Sequence, residues 1–360
     1  MIVKLYPIPR HCRPDHAQQG IVLLTVLWIL VLLAVIVGQF CHSMRTELNI
    51  TRNLRDETTG YYLARAGINL AIFKLINGSA PDIFIPSSPI EGDGPAWRIN
   101  QEIPPFSFGN GKIQVKIDNE SGKINISEAD HLILKTLFRS FTLPGEQVDS
   151  IVDSLLDWRD KDNFHRHNGA ENDYYQSLPQ PYNATNGPFH SIEELLLVKG
   201  ITRELWRSGL QRMVTVQGVT SANDSALQAT AAGEEGTWKI NVNAASPEVL
   251  RCLPGMTPEI LQAISTYRQK MDFLSPKEFR SLIGEAINNK IWPYISVQNS
   301  SFYTIRATGV PEGAQAGTSI EALVRLDPRL NTVRVVRWVD YLEPGKETAG
   351  TGDAPETRQN

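Results

Sequence analysis

Residues 21–37 read IVLLTVLWILVLLAVIV, an apolar run in which Thr25 is the only polar side chain. The four residues that follow, ending at Cys41, add no charge. About 20 such residues in an α-helix span the hydrocarbon layer of a bilayer. A helix in a soluble core is seldom apolar on every side over this length. The run therefore predicts a transmembrane helix at residues 21–41.

Charged residues on either side of the run indicate its orientation. Lys4, Arg10 and Arg13 precede it. Only Asp15 opposes them, whereas basic and acidic residues alternate beyond the run. Because cytoplasmic flanks of membrane helices carry the excess of Lys and Arg, we expect a cytoplasmic N-terminus, a single membrane pass and an exported body.

The residues before the run indicate a cleavage site. An ordinary signal peptide is cut after its apolar segment, and no convincing small-residue site follows this one. Instead, Gln18-Gln19-Gly20 directly precedes Ile21. This arrangement resembles the leader of type IV pilins and pseudopilins. The resemblance implies a leader at residues 1–20, which a prepilin peptidase removes by cutting between Gly20 and Ile21, and a methylated N-terminus at Ile21. An uncleaved signal anchor is the alternative.

The fifth residue after that cut separates the subunit types of this family. Most pilin-like subunits have Glu there, and a carboxylate in lipid needs a partner. This chain has Thr25. Its lack of that Glu resembles the minor pseudopilin K family of type II secretion systems, also called general secretion pathway protein K. The resemblance implies a tip component in the bacterial inner membrane, with a periplasmic body, that helps initiate pseudopilus assembly for protein export across the outer membrane. It also implies minor pseudopilins of the I and J types and the prepilin peptidase as partners.

The helix is predicted to continue as an amphipathic segment over residues 42–77. This segment has no proline, and apolar residues from Leu48 to Leu75 recur at near-helical spacing. Asn77-Gly78, followed by Pro81, is typical of a helix end. The stretch 52–67 also resembles the K family.

Strand patterns flank a long central region. Alternation predicts strands at Trp97–Ile103, Lys112–Asp118, Tyr303–Thr308, Ser319–Leu326 and Thr332–Tyr341, with Gly109-Asn110-Gly111 as a turn. We interpret them as one antiparallel sheet on the long helix, an α+β fold that resembles the pilin α/β roll. The first strands fall within residues 78–123 and the last within 301–343. Residues 344–360 lack apolar content and predict a disordered tail.

The central region, residues 124–300, is predicted to be mainly helical and internally repeated. INISEA at 124–129 is similar to INVNAA at 240–245. FHSIEEL at 189–195 is likewise similar to FLSPKEF at 273–279. This repeat predicts two structural units, at residues 124–225 and 226–300. The resemblance implies two small all-α subdomains that are SAM-like or helix-hairpin-helix-like.

Two hairpins in this region raise an alternative function. Residues 253–257 and, more weakly, 198–202 resemble helix–hairpin–helix turns that bind DNA phosphates, as in exported, membrane-anchored competence receptors. However, Thr257 and Thr202 replace the second glycine of DNA-binding hairpins. Residues 124–298 contain 16 Lys and Arg against 21 Asp and Glu, a net charge of −5. Phosphate binding favours the opposite sign, so we expect no nucleic-acid partner.

Acidic residues cluster at 157–173, a segment we call the acidic loop. Clustered carboxylates suit Ca²⁺, although the spacing is not that of an EF-hand and a solvated loop is the alternative. The K family resemblance implies bound calcium here, since this region is associated with calcium in that family. We expect the ligands among Asp160, Asp162, Glu171 and Asp173, and expect Asp157 to cap a helix end.

Catalysis is not expected. The sequence contains no GxSxG, HExxH, Walker A or GxGxxG motif. His165 and His167 lack the pattern of a third metal ligand nearby. The cysteines Cys12, Cys41 and Cys252 form no CxxC pair and no metal-binding spacing.

Overall fold

The structure is a computed structural model of the 360-residue chain and describes residues 17–77, 97–218, 238–314, 316–327, 330 and 332–340. The chain divides into two compact units, residues 1–58 and 59–360. Most of the predicted leader and the whole predicted tail at 344–360 lie outside the described residues.

The helices and strands of the described residues are numbered in chain order. The α-helices are α1 (Ala17–Asn77), α2 (His131–Arg139), α3 (Gly145–Arg159), α4 (Asn172–Gln176), α5 (Arg203–Leu205), α6 (Gln211–Met213), α7 (Pro247–Arg251), α8 (Pro258–Lys270), α9 (Pro276–Ile283) and α10 (Glu285–Ile291). The strands are β1 (Phe106–Phe108), β2 (Gly111–Asn119), β3 (Ile124–Asn125), β4 (Val214–Thr215), β5 (Ile240–Asn241), β6 (Ile295–Ser296), β7 (Phe302–Pro311), β8 (Thr318–Asp327) and β9 (Thr332–Val339). Short 3₁₀ turns lie at Glu120–Gly122, Ile192–Leu197 and Trp292–Tyr294, and a π turn lies at Trp206–Leu210.

Helix α1 begins before the apolar run and ends at Asn77, as the sequence predicts. From Val22 onward it contains a stretch that is long and apolar enough to cross a membrane, and none of that stretch is buried in the protein. Apolar side chains from Val22 to Phe40 are exposed. Such a surface is stable in lipid and unfavourable in water.

Five strands form one antiparallel sheet in the order β1-β2-β7-β8-β9. The strand predictions at 112–118, 303–308 and 319–326 are confirmed, and β9 covers most of the predicted 332–341. The strand predicted at Trp97–Ile103 is wrong. This segment makes turns and a single bridge, Glu102 to Lys116. Its apolar spacing arises because Trp97 and Ile103 are both buried in the core of α1 and the sheet, while Asn100 has a positive φ of 62° that interrupts an extended chain.

The C-terminal part of α1 packs on this sheet. Ala64, Ile68, Ala71 and Leu75 recur every three or four residues, and they form one core with buried side chains of β2, β7 and β8. The helix approaches β7 closely at Gly309. A Cβ atom built on Gly309 lies 2.2 Å from the carbonyl oxygen of Gly60. A residue without a side chain is therefore required at this crossing.

The sequence repeat in the central region is also a repeat of hydrogen bonds. The parallel pair β3–β4 matches the parallel pair β5–β6. The side chain of Asn125 accepts from the Ser127 N–H (3.0 Å), and that of Asn241 accepts from the Asn243 N–H (2.9 Å). Further on, a guanidinium donates to turn carbonyls in each half: Arg159 to Ile126 and Ala129, and Arg268 to Ala245. The same local structure therefore occurs twice.

A buried carboxylate joins the sheet to the first half of the repeat. Glu120 lies in the turn between β2 and β3, and its carboxylate accepts from Lys123 Nζ (2.5 Å), Thr215 Oγ1 (2.7 Å) and Thr304 Oγ1. Burial alone would raise the pKa of Glu120, but the Lys123 charge and these three hydrogen bonds lower it. The junction thus has a charged Glu120 whose partners come from β4 and β7.

Candidate functional site: the acidic loop after helix α3

The acidic loop runs between α3 and α4, and aromatic packing fixes both ends. Trp158, in the last turn of α3, packs edge-on against Tyr175 of α4 with ring centroids 5.1 Å apart. Both side chains are fully buried. Because the two short helices share this contact, the loop between them closes on itself and its carboxylates converge.

Three carboxylates of the loop come together. The oxygen atoms of Asp160, Asp162 and Glu171 lie within 4.8 Å of one another. Glu171 is only 2% exposed. Both of its side-chain oxygens, and Oδ1 of Asp160, are buried without a hydrogen-bond partner. Buried anionic oxygens without partners are costly, so this arrangement favours a bound cation.

The electrostatics of Glu171 agree with this geometry. Burial, together with the charges of Asp157 and Asp160, raises the pKa of Glu171 to about 7. Loss of water around the carboxylate and repulsion from its acidic neighbours therefore both disfavour the charged form of Glu171. A cation at this position would lower that pKa and allow all three carboxylates to be charged.

Arg166 neutralises the other side of the cluster. Its guanidinium donates to Asp157 Oδ1 (2.5 Å) and to Asp160 Oδ2 (2.6 Å). Asp157 is fully buried and also accepts from the N–H groups of Arg166 and Ala170. Asp160 therefore has one oxygen on Arg166 and one that is unpartnered. Asp157 is expected from the sequence to cap a helix end; instead it lies in the last turn of α3 and holds residues of the loop.

An asparagine far along the chain supports the loop and was not identified from the sequence. The Nδ2 group of Asn186 donates to the carbonyl oxygen of Asp162 (3.0 Å) and to Asn163 Oδ1 (3.0 Å). Asn186 has a positive φ of 46°, which Asn tolerates better than most residues. The Asn186-Gly187 pair is a turn signal that could have indicated this bend.

Asp173 does not join the cluster, which corrects the predicted ligand set. It is exposed and lies in the first turn of α4. Its Oδ1 accepts from the N–H of Tyr174 at 2.8 Å, so its carboxylate binds the backbone in the first turn of α4. The residues that the structure brings together are Asp160, Asp162 and Glu171.

The hairpin at 198–202 packs against the same region, while Gly200 and Thr202 remain exposed. Lys199 Nζ donates to the carbonyl oxygen of Gly169 (3.0 Å) and lies 5.0 Å from the centroid of the Tyr174 ring. A Cβ atom on Gly200 would lie 2.7 Å from Ile151 of α3. Lys199 of this hairpin therefore holds the acidic loop.

At the N-terminus, Gly20 and Ile21 lie within α1. The hydroxyl of Thr25 donates to the carbonyl oxygen of Val22 at 2.9 Å. Since a hydroxyl can be satisfied by its own helix, Thr25 needs no partner in lipid. This is a physical difference from a Glu at the same position, whose charge would require one.

Residues 115–219, which include the acidic loop, match the family model described as type II secretion system protein K. This part of the chain is similar to protein K of type II secretion systems. Protein K of Pectobacterium carotovorum is 31% identical over 210 residues, covering 53% of this chain and 60% of the relative. Protein K of Aeromonas hydrophila is 23% identical over 208 residues, covering 52% of this chain and 61% of the relative.

These curated protein K relatives are therefore matched over about three fifths of their length. A solved chain from the crystal structure of the GspK-GspI-GspJ complex of the enterotoxigenic Escherichia coli type 2 secretion system has a similar fold. The TM-score is 0.54 at 17% identity, and the match covers 81% of this chain and 99% of that chain. At this identity the likeness shows a shared fold.

Proposed function

We propose that the chain is a minor pseudopilin of the type II secretion system. It acts as a tip component that helps initiate pseudopilus assembly for protein export across the outer membrane. The match of residues 115–219 to the protein K family carries the proposal. The exposed apolar part of α1 after Gly20, and Thr25 in place of Glu, support it. Its role is structural and not catalytic.

The domain organisation is proposed on the same basis. Residues 1–20 form the leader, 21–41 the membrane helix, 42–77 its amphipathic continuation, and 78–123 with 301–343 the strands of a pilin-like α/β roll. Residues 124–225 and 226–300 form two SAM-like or helix-hairpin-helix-like subdomains. The doubled hydrogen-bond pattern around Asn125 and Asn241 supports this division.

The proposed partners are minor pseudopilins of the I and J types, the prepilin peptidase and the inner membrane. The related fold in a complex with GspI and GspJ supports the first of these. Tyr62, Asn69 and Phe73 of α1 lie on its exposed face, opposite the residues that pack on the sheet. This face offers aromatic surface for a neighbouring helix. The body is proposed to lie in the periplasm.

The alternative, a DNA receptor, gains no support from the comparisons. Lys199 of one hairpin is bound within the protein, and the charge of the region opposes phosphate. The mature N-terminus tests the pseudopilin proposal, because a pseudopilin begins at Ile21 with a methylated amine and an uncleaved anchor begins at Met1.

We also propose that Asp160, Asp162 and Glu171 bind calcium. The donors are all carboxylate oxygens, which suit this hard cation. Three of these oxygens, on Glu171 and Asp160, are buried without another partner. Backbone carbonyls or water would complete the six to eight ligands that calcium takes. When bound, the ion would neutralise the cluster and fix the loop between α3 and α4.

Calcium is expected to raise the melting temperature of the purified chain at pH 8, and to do so much less at pH 5.5. A cation at about 100 times its Kd stabilises the folded state by about 2.7 kcal/mol. The pH effect arises because the pKa of Glu171 is about 7 without a cation. Below that pH, protons compete with calcium for the Glu171 carboxylate. Melting curves in calcium and in chelator at both pH values measure it.

Variants separate the ligands from their neighbours. Glu171→Gln and Asp162→Asn should remove most of the calcium effect, and Asp173→Asn should retain it. In chelator, the folded pKa of Glu171 lies above its ordinary value of 4.5. Its contribution to stability is therefore lost as pH rises from about 4.5 to about 7, and Glu171→Gln should abolish that loss. Equal melting in calcium and chelator, with no metal in the purified protein, would exclude the site.

A further inference from the structure

The outer edge of the five-stranded sheet is formed by β9. Among the described residues, β9 pairs with β8 on one side and no strand pairs with its other side. An edge strand presents backbone N–H and C=O groups that can pair with another strand. β9 has eight residues, and strands of this length form stable ladders.

Apolar side chains are exposed at this edge. Val335 and Val336 are 45% and 46% exposed, and Leu330, before the strand, is 71% exposed. Natural edge strands are often protected by Lys or Pro. The sequence of β9, TVRVVRWV, contains neither, and the strand is interrupted only at Val336, which is skipped where the register with β8 shifts.

Two arginines at this edge face each other without an anion. Arg325 of β8 and Arg334 of β9 are direct cross-strand partners and both are exposed. Like charges in this position are unfavourable. Arg325 lies over the Phe302 ring, 5.6 Å from its centroid. Within the described part of the chain, neither guanidinium has a carboxylate within 4.0 Å.

The neighbouring arginine shows the contrast. Arg337 of β9 donates to Glu193 (2.7 Å) and to Glu321 (2.9 Å), so its charge is balanced inside the protein. The Arg325–Arg334 pair is therefore a local excess of positive charge on a chain whose formal net charge is −4. A ligand that carries carboxylates would relieve it.

A second copy of this chain does not fit the edge well. β9 has two arginines and no Asp or Glu. In an antiparallel pair of β9 strands centred on Val335 and Val336, Arg334 of each copy would oppose Arg337 of the other. Like charges directly opposite each other disfavour this pairing. An acidic strand would instead offer Arg334 a carboxylate across the pair.

We propose that the β9 edge binds an extended, acidic segment of a partner protein by strand addition. Main-chain hydrogen bonds to β9 would supply affinity, and carboxylates of the segment would neutralise Arg325 and Arg334. This surface is distinct from the exposed face of α1 that we assign to other minor pseudopilins. It gives the body a second docking surface, which recognises extended chain instead of a helix.

The test uses the full chain in detergent and a fluorescent peptide of eight residues that alternates Glu with Val or Thr. Fluorescence anisotropy should show saturable binding that weakens as NaCl is added. A peptide with Lys in place of Glu should not bind. The acidic peptide with N-methylated backbone at alternate residues should also fail, because it cannot form the ladder.

A charge reversal at the edge separates binding from folding. Arg334→Glu should lower peptide affinity about tenfold or more, since it repels the acidic strand. The same change replaces a like-charge pair with an opposite-charge pair beside Arg325, so the melting temperature should not fall. Arg280→Glu, an exposed position on α9 with the same change in net charge, is the matched control and should leave affinity within twofold.

Several outcomes would overturn the proposal. One is that the acidic peptide fails to bind, and another is that the N-methylated peptide binds equally well. A third is that Arg334→Glu and Arg280→Glu lower the affinity for the acidic peptide by the same factor. A chain that ends at Asp340 tests whether the protein's own C-terminal residues occupy the edge. This shortened chain should bind the acidic peptide with the same affinity as the full chain. Binding by this shortened chain alone would show that the occupant belongs to the same polypeptide, which also contradicts the proposal.

Discussion

Replacing Gly309 by alanine is expected to destabilise the body of the protein by about 3 kcal/mol or more. The new methyl group would lie 2.2 Å from the carbonyl oxygen of Gly60 and 2.6 Å from the backbone nitrogen of Ala64. Both atoms belong to the backbone of α1, so no side-chain rotation relieves the clash. The helix must move away from β7, and the core of Ala64, Ile68 and Ile305 must open.

Denaturant unfolding of the purified chain, followed by tryptophan fluorescence, measures this loss. Trp97 is a suitable reporter because it is buried in the core between α1 and the sheet. Gly187→Ala is the control, since a Cβ atom there meets only the carbonyl oxygen of Thr185, at 3.8 Å. If Gly309→Ala unfolds at the same denaturant concentration as the control, the close crossing of helix and strand is wrong.

Replacing Asp157 by alanine is expected to cost about 3 kcal/mol and to disorder the acidic loop. The carboxylate is fully buried and holds the Arg166 guanidinium as well as the N–H groups of Arg166 and Ala170. Its removal leaves the two backbone N–H groups without this acceptor and the Arg166 guanidinium with Asp160 alone. Because Asp157 fixes the turn that bears Asp160, calcium stabilisation should be lost as well.

Thermal melting in calcium and in chelator tests both parts of this expectation. Asp149→Ala, on the same helix, is the matched control because Asp149 pairs with Lys135 at the surface of α2 and α3. It should change melting little and should retain the calcium effect. A variant at Asp157 that melts normally and still responds to calcium would refute the structural role of this residue.

The long helix could be predicted from the sequence because its signals are local. The apolar run fixes the first part, and Asn77-Gly78 with Pro81 marks the end that the structure has. The strand predicted at Trp97–Ile103 failed for a reason that local pattern cannot reveal. Trp97 and Ile103 are buried by α1 and the sheet, and this tertiary contact produces strand-like spacing without a ladder.

The acidic loop was found from its composition, but its ligands were only partly predictable. The spacing of the acidic residues does not show that Asp173 accepts a hydrogen bond from the helix backbone. It also does not show that Arg166 donates to one oxygen of Asp160. Convergence of the carboxylates depends on the Trp158–Tyr175 contact and on Asn186, which lies 24 residues beyond Asp162. The close approach at Gly309 likewise depends on a helix that is distant in sequence.

The most direct test of the pseudopilin assignment is intact-mass spectrometry of the chain purified from membranes of a host that contains a prepilin peptidase. The account predicts a mature chain that starts at Ile21 and carries one added methyl group. A variant with Gly20→Val should keep its leader and serves as the control for cleavage at this bond. A chain that still begins at Met1, or one cut after residue 41, would contradict the account.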